Sequence, residues 1–449
     1  MKHDNKLINT YIALALPTVI EQFLSTLLQY VDTAMVGHLG AEATASISLS
    51  TTYNWFFGSI MGGIGMGFLS YIARAIGEKN EYNIRHALGM SLVTALSIGF
   101  ILTAVTEAIA PFIPLWMGAE EAIRYTGTLY FRIINTTMVL RACLFILACV
   151  LRSTGDSGTP MKINLSVNFL NIGLNYLFIY MLSYGAIGAG IATAISYGIG
   201  GIVMMIAFVR NPYVCIKREY FKPEKRVLKD ALAIGIPAMI TRMISCMGHI
   251  VATSFVSAMG TVIFAAHSIA ITAEQLVYIP GYGMQAATST LIGNAVGEQN
   301  RDKERRVAGI SLRLIICLML AGGVLLFVFA GRLMSIFTKD AEVIRIGTSL
   351  LKIVAFTEPL YGAYIVMDGI YVGLGRTKIP MVIEFIGHWG IRILSAYILI
   401  NYFGAGIREY WFCMIADNIC KTILLALGLV IIGRRRNSRK GQIYEDIQE

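Results

Sequence analysis

Twelve apolar runs recur from one end of the chain to the other, at about 12–36, 44–72, 87–113, 124–150, 161–182, 186–209, 231–258, 262–292, 306–330, 346–372, 379–402 and 408–433. Each is long enough to cross a hydrocarbon core, which takes roughly 20 residues as a helix. Hydrocarbon offers no hydrogen bonds, so every crossing backbone must satisfy its own polar groups, and runs of this length do so as helices. The expectation is an all-α polytopic membrane protein. With 56% hydrophobic and 14% charged residues in 449, the chain is too apolar for a pair of soluble domains.

Lys and Arg accumulate on the cytoplasmic side of membrane proteins. One set of alternate loops holds Lys2, Lys6, Arg74, Lys79, Arg85, Arg152, Lys162, the segment 210–229, Arg301, Lys303, Arg305, Arg306, Arg376, Lys378 and the terminal RRRNSRK. The opposite loops hold only Arg124, Arg332, Lys339, Arg345, Lys352 and Arg408. Both termini are therefore expected in the cytoplasm and the protein in the cell (inner) membrane. The net charge of +10 is read as this topology signal, not as nucleic-acid binding. The Arg434 to Lys440 cluster suits contact with anionic membrane lipid. Residues 1–10, MKHDNKLINT, run into the first span without a small-residue cleavage site, so that span is expected to be retained. Cys143, Cys149, Cys215, Cys246, Cys317, Cys413 and Cys420 form no CxxC pair, which argues against a disulfide or zinc framework.

The polar segment RNPYVCIKREYFKPEKRVLKD, 210–230, divides the chain. Across it, at a constant offset of 220, fall Pro17/Pro237, Gly40/Gly260, Gly63/Gly283, Gly89/Gly309, Gly155/Gly375 and Pro160/Pro380, with GEKN at 77–80 repeated as GEQN at 297–300. Turn and helix punctuation kept in register implies duplication. The expected organisation is an N-terminal six-helix lobe (1–209), a basic linker (210–230), a C-terminal six-helix lobe (231–433) and a tail (434–449). Six spans per half put the pseudo-two-fold along the membrane normal, an arrangement suited to rocking around a central cleft.

Polar residues inside the spans are the candidate site. Glu21 and Asp32 lie within about 20° on one helix face, roughly 16 Å apart along the axis, with Ser25, Leu28 and Gln29 on the same stripe. Facing lipid, each central charge would cost roughly 2.5–3.5 kcal/mol on insertion scales. The stripe must therefore face protein or water. In the fifth span Asn164, Asn168, Asn171 and Asn175 share a face, which suits either interhelical hydrogen bonds or a hydrated cavity wall. In the tenth, Tyr361, Tyr364, Asp368 and Tyr371 form a stripe with Glu358 at its edge, a pattern able to hold a lipophilic cation by cation–π attraction and one counter-charge.

Arg242 with His249, His267 with Glu274, and Glu384, His388 and Arg392 each share a helix face, while Asp417 and Lys421 are spaced for mutual neutralisation. Arg132 and Arg141 are candidate partners for Glu21 or Asp32. No Walker loop, GxSxG elbow or HExxH motif occurs, so nucleotide-driven transport and hydrolysis have no visible machinery.

On these residues the chain resembles the multidrug and toxic compound extrusion (MATE) family. The motifs are ALPTVIEQFLSTLLQYVDTAMVGHLGAEA, LRSTGDSGTPM, NIGLNY, AAHSIAITAEQLVYIPGYGM, TLIGNAVGEQN and EPLYGAYIVMDG. The resemblance implies twelve helices in a V of two lobes, acting without a cofactor. It implies export of cationic or lipophilic small molecules in exchange for protons or sodium ions. It assigns ion coupling to Asp32, Asn171 and Asn175, with sodium possible at Asp32. Glu21, Gln29, Glu358, Tyr361, Tyr364 and Asp368 are the expected substrate-binding residues, in a transporter functional as a monomer. The chain departs from the family in its seventh span, where TRMISCMGHIVATSF carries no acid, and in VGLGRT, the second-half counterpart of LRSTGD. The alternative is a lipid-linked precursor flippase of the same superfamily, which would need a basic cleft.

Overall fold

The computed structural model describes residues 2–39, 41–116, 121–214, 217–222 and 224–445, with side chains left out for 2–4, 41–45, 48–52, 122–123, 218 and 435–445. Gly40, Cys215 and the side chains of the terminal basic cluster after Arg434 thus lie outside the described residues. Among those described there is no strand.

The first half comprises α1 (Lys2–Gly37), α2 (Ala41–Gly77), α3 (Glu81–Ile109), the single turn α4 (Ile113–Trp116), α5 (Glu121–Asn135) and α6 (Met138–Ser153). It ends with α7 (Gly158–Asn175), continued as a π-helix over Tyr176–Met181, and α8 (Gly185–Val209). The second half repeats the order: α9 (Lys225–Ser257), α10 (Thr261–Gly297), α11 (Arg301–Phe337), α12 (Ala341–Ala355) and α13 (Glu358–Gly373). Then α14 (Lys378–Phe385) runs through a π-helical Ile386–Ile393 into α15 (Leu394–Phe403), and α16 (Ile407–Glu445) closes the chain.

Nine described helices are long and apolar enough to cross a membrane, and the bent pairs α5–α6 and α12–α13, at 51° and 58°, raise the count to eleven. The twelfth expected crossing is α7 with its π-helical end, whose four asparagines lower its hydropathy below that of the others. The two bends fall 220 residues apart, between Asn135 and Met138 and between Ala355 and Glu358. Both fifth spans carry the π-helical segment, a local loosening common at functional sites. The molecule is thus two six-helix lobes related by a pseudo-two-fold.

At the core of the N-terminal lobe stands α6, buried along nearly its whole length between α2, α3 and α8. Its counterpart α13 is buried likewise. Phe100, Ile101, Val324, Leu325 and Val328 lie exposed on the outside, as a lipid-facing wall requires.

The repeat signatures acquire physical meaning here. In GEKN and GEQN, Lys79 and Gln299 take left-handed backbone, with φ of 54° and 53°. The asparagine that follows then caps the next helix, Asn80 accepting from the Asn83 N–H at 3.0 Å and Asn300 from the Lys303 N–H at 2.9 Å.

The lobes meet through α2 against α9 and α10, and α1 against α10. The closest approaches obey the same symmetry. A Cβ on Gly63 would stand 2.3 Å from Met239 Cα, and one on Gly283 2.6 Å from Val19 N. Similarly, Gly77 is pressed against Asn294 and Gly297 against Arg74. Ser70 donates to the Val372 carbonyl, and Thr377 to that of Ile234 at 2.8 Å. These glycines are conserved between the halves because backbone meets backbone there. We expect Gly63→Ala to destabilise the purified protein by about 1–3 kcal/mol through overpacking, read as a lower melting temperature in detergent. Gly58→Ala, on the same helix with nothing within 4 Å, leaves it unchanged or raises it.

Candidate functional site

Helices α1 and α7 run parallel and in register, and their polar stripes face each other. Asn164 Nδ2 donates to Glu21 Oε1 at 2.6 Å, Asn168 Nδ2 to Ser25 Oγ at 2.9 Å, and Asn175 Nδ2 to Asp32 Oδ1. The remaining asparagine, Asn171, donates to Thr193 of α8 at 3.3 Å and accepts from Asn175 at 3.3 Å. Interhelical bonding and cavity lining are therefore both realised. Beside this ladder lies a cavity of about 300 Å³ lined by Ser25, Gln29, Asp32, Asn168, Asn171 and Thr193, among others.

The two first-helix acids part company. Glu21 is buried, and Arg152 of α6 reaches it with contacts of 2.7 and 2.9 Å. The carboxylate expected to bind substrate thus holds a guanidinium and an amide within the fold, and lines neither this cavity nor the larger one of the second lobe. Arg152, read in the sequence as a topology marker, is instead a buried counter-ion. Neither Arg132 nor Arg141 goes to an α1 acid. Arg132 pairs with Glu107 at 3.4 Å, while Arg141 donates to Asn54 at 3.1 Å and lies over Tyr197. Asp32 consequently has no cationic partner among the described residues. Next to it Asn175 Oδ1 is buried without a donor.

The second lobe holds a larger cavity of about 550 Å³. Tyr361 and Tyr364 stack with centroids 5.9 Å apart, and Tyr278 packs edge-on to Tyr361 at 5.2 Å. Tyr282 joins them from α10, and Trp55 reaches in from α2 across the seam. Asp368 lies at the cavity and accepts from Gln285 Nε2. Behind the tyrosines runs an ionic chain. Arg392 is 2.9 Å from Asp417, and Lys421 is 3.1 Å from Asp417 and 3.2 Å from Glu384. Glu384 also accepts from Ser245 and, at 2.7 Å, from the Tyr364 hydroxyl, with His388 at 3.2 Å. The Asp417–Lys421 pair is thus one link of a longer network.

Two expected members of this site are elsewhere. Glu358 does not line the cavity; it is 1% exposed with neither carboxyl oxygen hydrogen-bonded, in a buried region shared with Glu274. It lines neither of the two cavities that hold the other candidate residues. Tyr371 turns away and donates to the Leu425 carbonyl at 2.9 Å, which removes it from the aromatic face. Sequence reasoning missed Tyr278, Tyr282 and Trp55. The first two sit within the quoted α10 motif at helical spacing, whereas Trp55 offered no signal until the lobes were brought together. Among the described residues no group of three or more His, Cys, Asp or Glu is placed to hold a metal ion.

With this geometry in hand, comparison with known proteins is decisive. The family model MatE matches residues 17–177 and 237–398, two segments set 220 apart. The chain belongs to the MatE family. As a MATE protein it is a membrane transporter and not an enzyme. Among its curated relatives, the probable multidrug resistance protein NorM of Thermotoga maritima is 30% identical over 421 residues, covering 93% of this chain and 90% of that one. The probable multidrug resistance protein YoeA of Bacillus subtilis is 27% identical over 409 residues, covering 88% and 87%. The solved outward-facing conformation of a multidrug resistance MATE family transporter of the MOP superfamily matches with a TM-score of 0.90 at 24% identity, over 96% of each chain.

Breaking one side of a buried ion pair costs about 3–5 kcal/mol, while replacing both sides costs far less. Arg152→Gln should therefore strongly lower the melting temperature of this MATE protein, and Glu21→Gln/Arg152→Gln should recover most of the loss.

Proposed function

We propose that the protein is a secondary antiporter that exports cationic or lipophilic compounds in exchange for protons or sodium ions by alternating access. Asp32, with Asn171 and Asn175, holds the coupling ion, and the aromatic cavity at Tyr361, Tyr364 and Asp368 holds the cargo. The observation that carries this reading is the unpaired state of Asp32. It is the α1 carboxylate that lines a cavity and has no cation beside it, whereas Glu21 is neutralised within the fold. A proton satisfies it directly. Sodium fits the donor set as well, because the orphaned Asn175 Oδ1 and the Asp32 carboxylate are hard oxygen ligands.

Curated relatives named as probable multidrug resistance proteins support the cargo class. So does the cavity, whose tyrosine faces and acid suit an organic cation. Gln29, lining the N-terminal cavity, would contact the ion's water or a second cargo site. The units moving against each other are taken to be residues 1–209 and 231–433, joined by 210–230 and followed by the tail 434–449, with both termini cytoplasmic. The tight seam at Gly77, Gly297, Ser70 and Thr377 then closes the cytoplasmic side. Coupling passes along α1, which carries Asp32, to α10, which carries Tyr278, Tyr282 and Gln285; Tyr30 donates to the Thr272 carbonyl at 2.9 Å on that contact. Expelling a monovalent cation against the membrane potential costs about 2.3 kcal/mol per 100 mV, and one returning proton or sodium ion cancels it. The alternative, a flippase for a lipid-linked precursor, would need a basic cleft; Arg152, Arg392 and Lys421 are each committed to an internal acid, which leaves Arg242 as the base of the cavity lining without an acid partner among the described residues.

In membrane vesicles loaded with a cationic dye, efflux should follow an imposed proton or sodium gradient, and Asp32→Asn should abolish the gradient dependence while dye binding persists. Full gradient-driven efflux by Asp32→Asn under both gradients would remove Asp32 from the coupling role.

A further inference from the structure

The polar segment 210–230 separates the two repeats in sequence, yet in space it is bound to the first lobe. Asn211 donates to the Thr154 hydroxyl at 3.1 Å. Gly89 of α3 is buried beneath the Tyr220 carbonyl, so close that a Cβ there would overlap it. The Tyr220 ring packs edge-on to His86 with centroids 5.1 Å apart, and the Arg85 guanidinium lies over it at 6.0 Å. The start of α9 follows suit, with Val227 and Ala231 buried in the core of the first lobe. The segment is therefore a strap across α3. Gly309, the counterpart of Gly89 on α11, has only the Arg313 side chain within 4 Å, so this strap belongs to one lobe.

Its level in the membrane follows from α3. Gly89 and Phe100 are eleven residues apart, within about 20° on one helix face and about 16 Å along the axis. Phe100 is exposed on the apolar outer wall, midway along the run 87–113. A hydrocarbon core about 30 Å thick ends about 15 Å from its middle. The strap thus crosses the outer face of α3 where hydrocarbon gives way to headgroups. Tyr82 and Tyr213, both exposed there, are of the residue type enriched at that level. What the strap turns outward is basic. Lys222, Lys225 and Lys229 are exposed and form no ion pair with any described residue, whereas Arg85 is held by Glu81 at 2.8 Å and Lys303 by Glu298 at 2.6 Å. On α9, Lys225 and Lys229 stand one turn apart on the side opposite the buried Val227. The whole segment carries seven Lys and Arg against three acids, of which Glu219 is taken up by Lys217 at 4.0 Å.

We propose that the strap is a docking surface for anionic phospholipid, whose headgroups Lys222, Lys225 and Lys229 hold against the outer side of α3. A lysine beside an anionic membrane surface is worth about fivefold in affinity, and these three have no internal acid to spend it on. Lipid held there braces the rim of the first lobe together with the start of α9, the element that leads into the second.

Tyr213→Trp puts a fluorophore on the strap. The full-length variant is reconstituted in phosphatidylcholine vesicles holding a minority of phosphatidylglycerol, with one lipid or the other brominated in its acyl chains. Quenching of the introduced indole is taken as the difference from wild type. The brominated anionic lipid should quench it as though enriched about fivefold or more over its share of the bilayer. Lys222→Gln/Lys225→Gln/Lys229→Gln in the same background should remove most of that enrichment, and raised salt should weaken it. Quenching in proportion to bulk composition, or enrichment untouched by the triple variant, overturns the proposal. No quenching by either lipid places the strap in water and overturns it as well. Enrichment abolished by millimolar inorganic phosphate marks a free-anion site in place of a lipid one. Should the triple variant fail to fold, Lys225→Gln/Lys229→Gln and the salt dependence of the parent decide.

Discussion

Taking a carboxylate out of water costs several kcal/mol unless a cation or several donors compensate it, and inside a membrane no lipid can supply either. How Glu21, Asp32, Glu384 and Asp417 meet that demand organises much of the structure. Glu21 is matched by Arg152 and Asn164, which ties α1 to α6 and α7. Asp417 and Glu384 are matched by Arg392 and Lys421, which ties the π-helical segment of the eleventh span to α16. For these acids the compensation is built into the fold. Asp32 receives an amide from Asn175 and no cation among the described residues, which is what supports its proposed role in holding an exchangeable ion. The two α1 acids thus differ in their partners, eleven residues apart on one helix face.

Much of this was legible beforehand. The apolar runs announced the crossings, and the constant offset of 220 announced the duplication, because glycine, proline and asparagine at turns and close contacts cannot be replaced without strain. The complementary stripes on α1 and α7 were visible as spacings, although only the coordinates set them in register. What could not be read was the choice of partner. Arg152 looked like a loop residue marking the cytoplasmic face, and its approach to Glu21 depends on α6 being the central helix of the lobe. Arg132 and Arg141 looked equally eligible, yet their directions lead to Glu107 and to Asn54. In the tenth span, spacing alone placed Glu358 and Tyr371 beside Tyr361. The helix buries both against neighbours whose identity a one-dimensional pattern does not carry.

The two lobes keep one scaffold and exchange its chemistry. In each, the first and fifth helices face each other across the polar contact, and each fifth helix loosens into a π-helical segment near it. In the N-terminal lobe the acids stand on the first helix and the amides on the fifth. In the C-terminal lobe Thr241 and Arg242 replace Glu21 and Gln22, while Glu384 and His388 stand where Asn164 and Asn168 do in the first. A duplicated fold has thereby acquired two differently lined cavities, of about 300 Å³ in the first lobe and about 550 Å³ in the second. The inter-lobe glycines, retained in both halves, keep the contact between α1 and α10 close enough to link them.

The central claim is that Asp32 carries an exchangeable ion whose departure is linked to cargo binding. By linkage, cargo and ion must alter each other's affinity by the same factor. The direct measurement is ion release: a saturating monovalent dye cation is added to the purified protein in weakly buffered detergent while an indicator dye follows protons and an ion-selective electrode follows sodium. The account predicts release of one or the other from the wild-type protein and none from Asp32→Asn that still binds the dye. Dye binding without release, or equal release from both proteins, contradicts it.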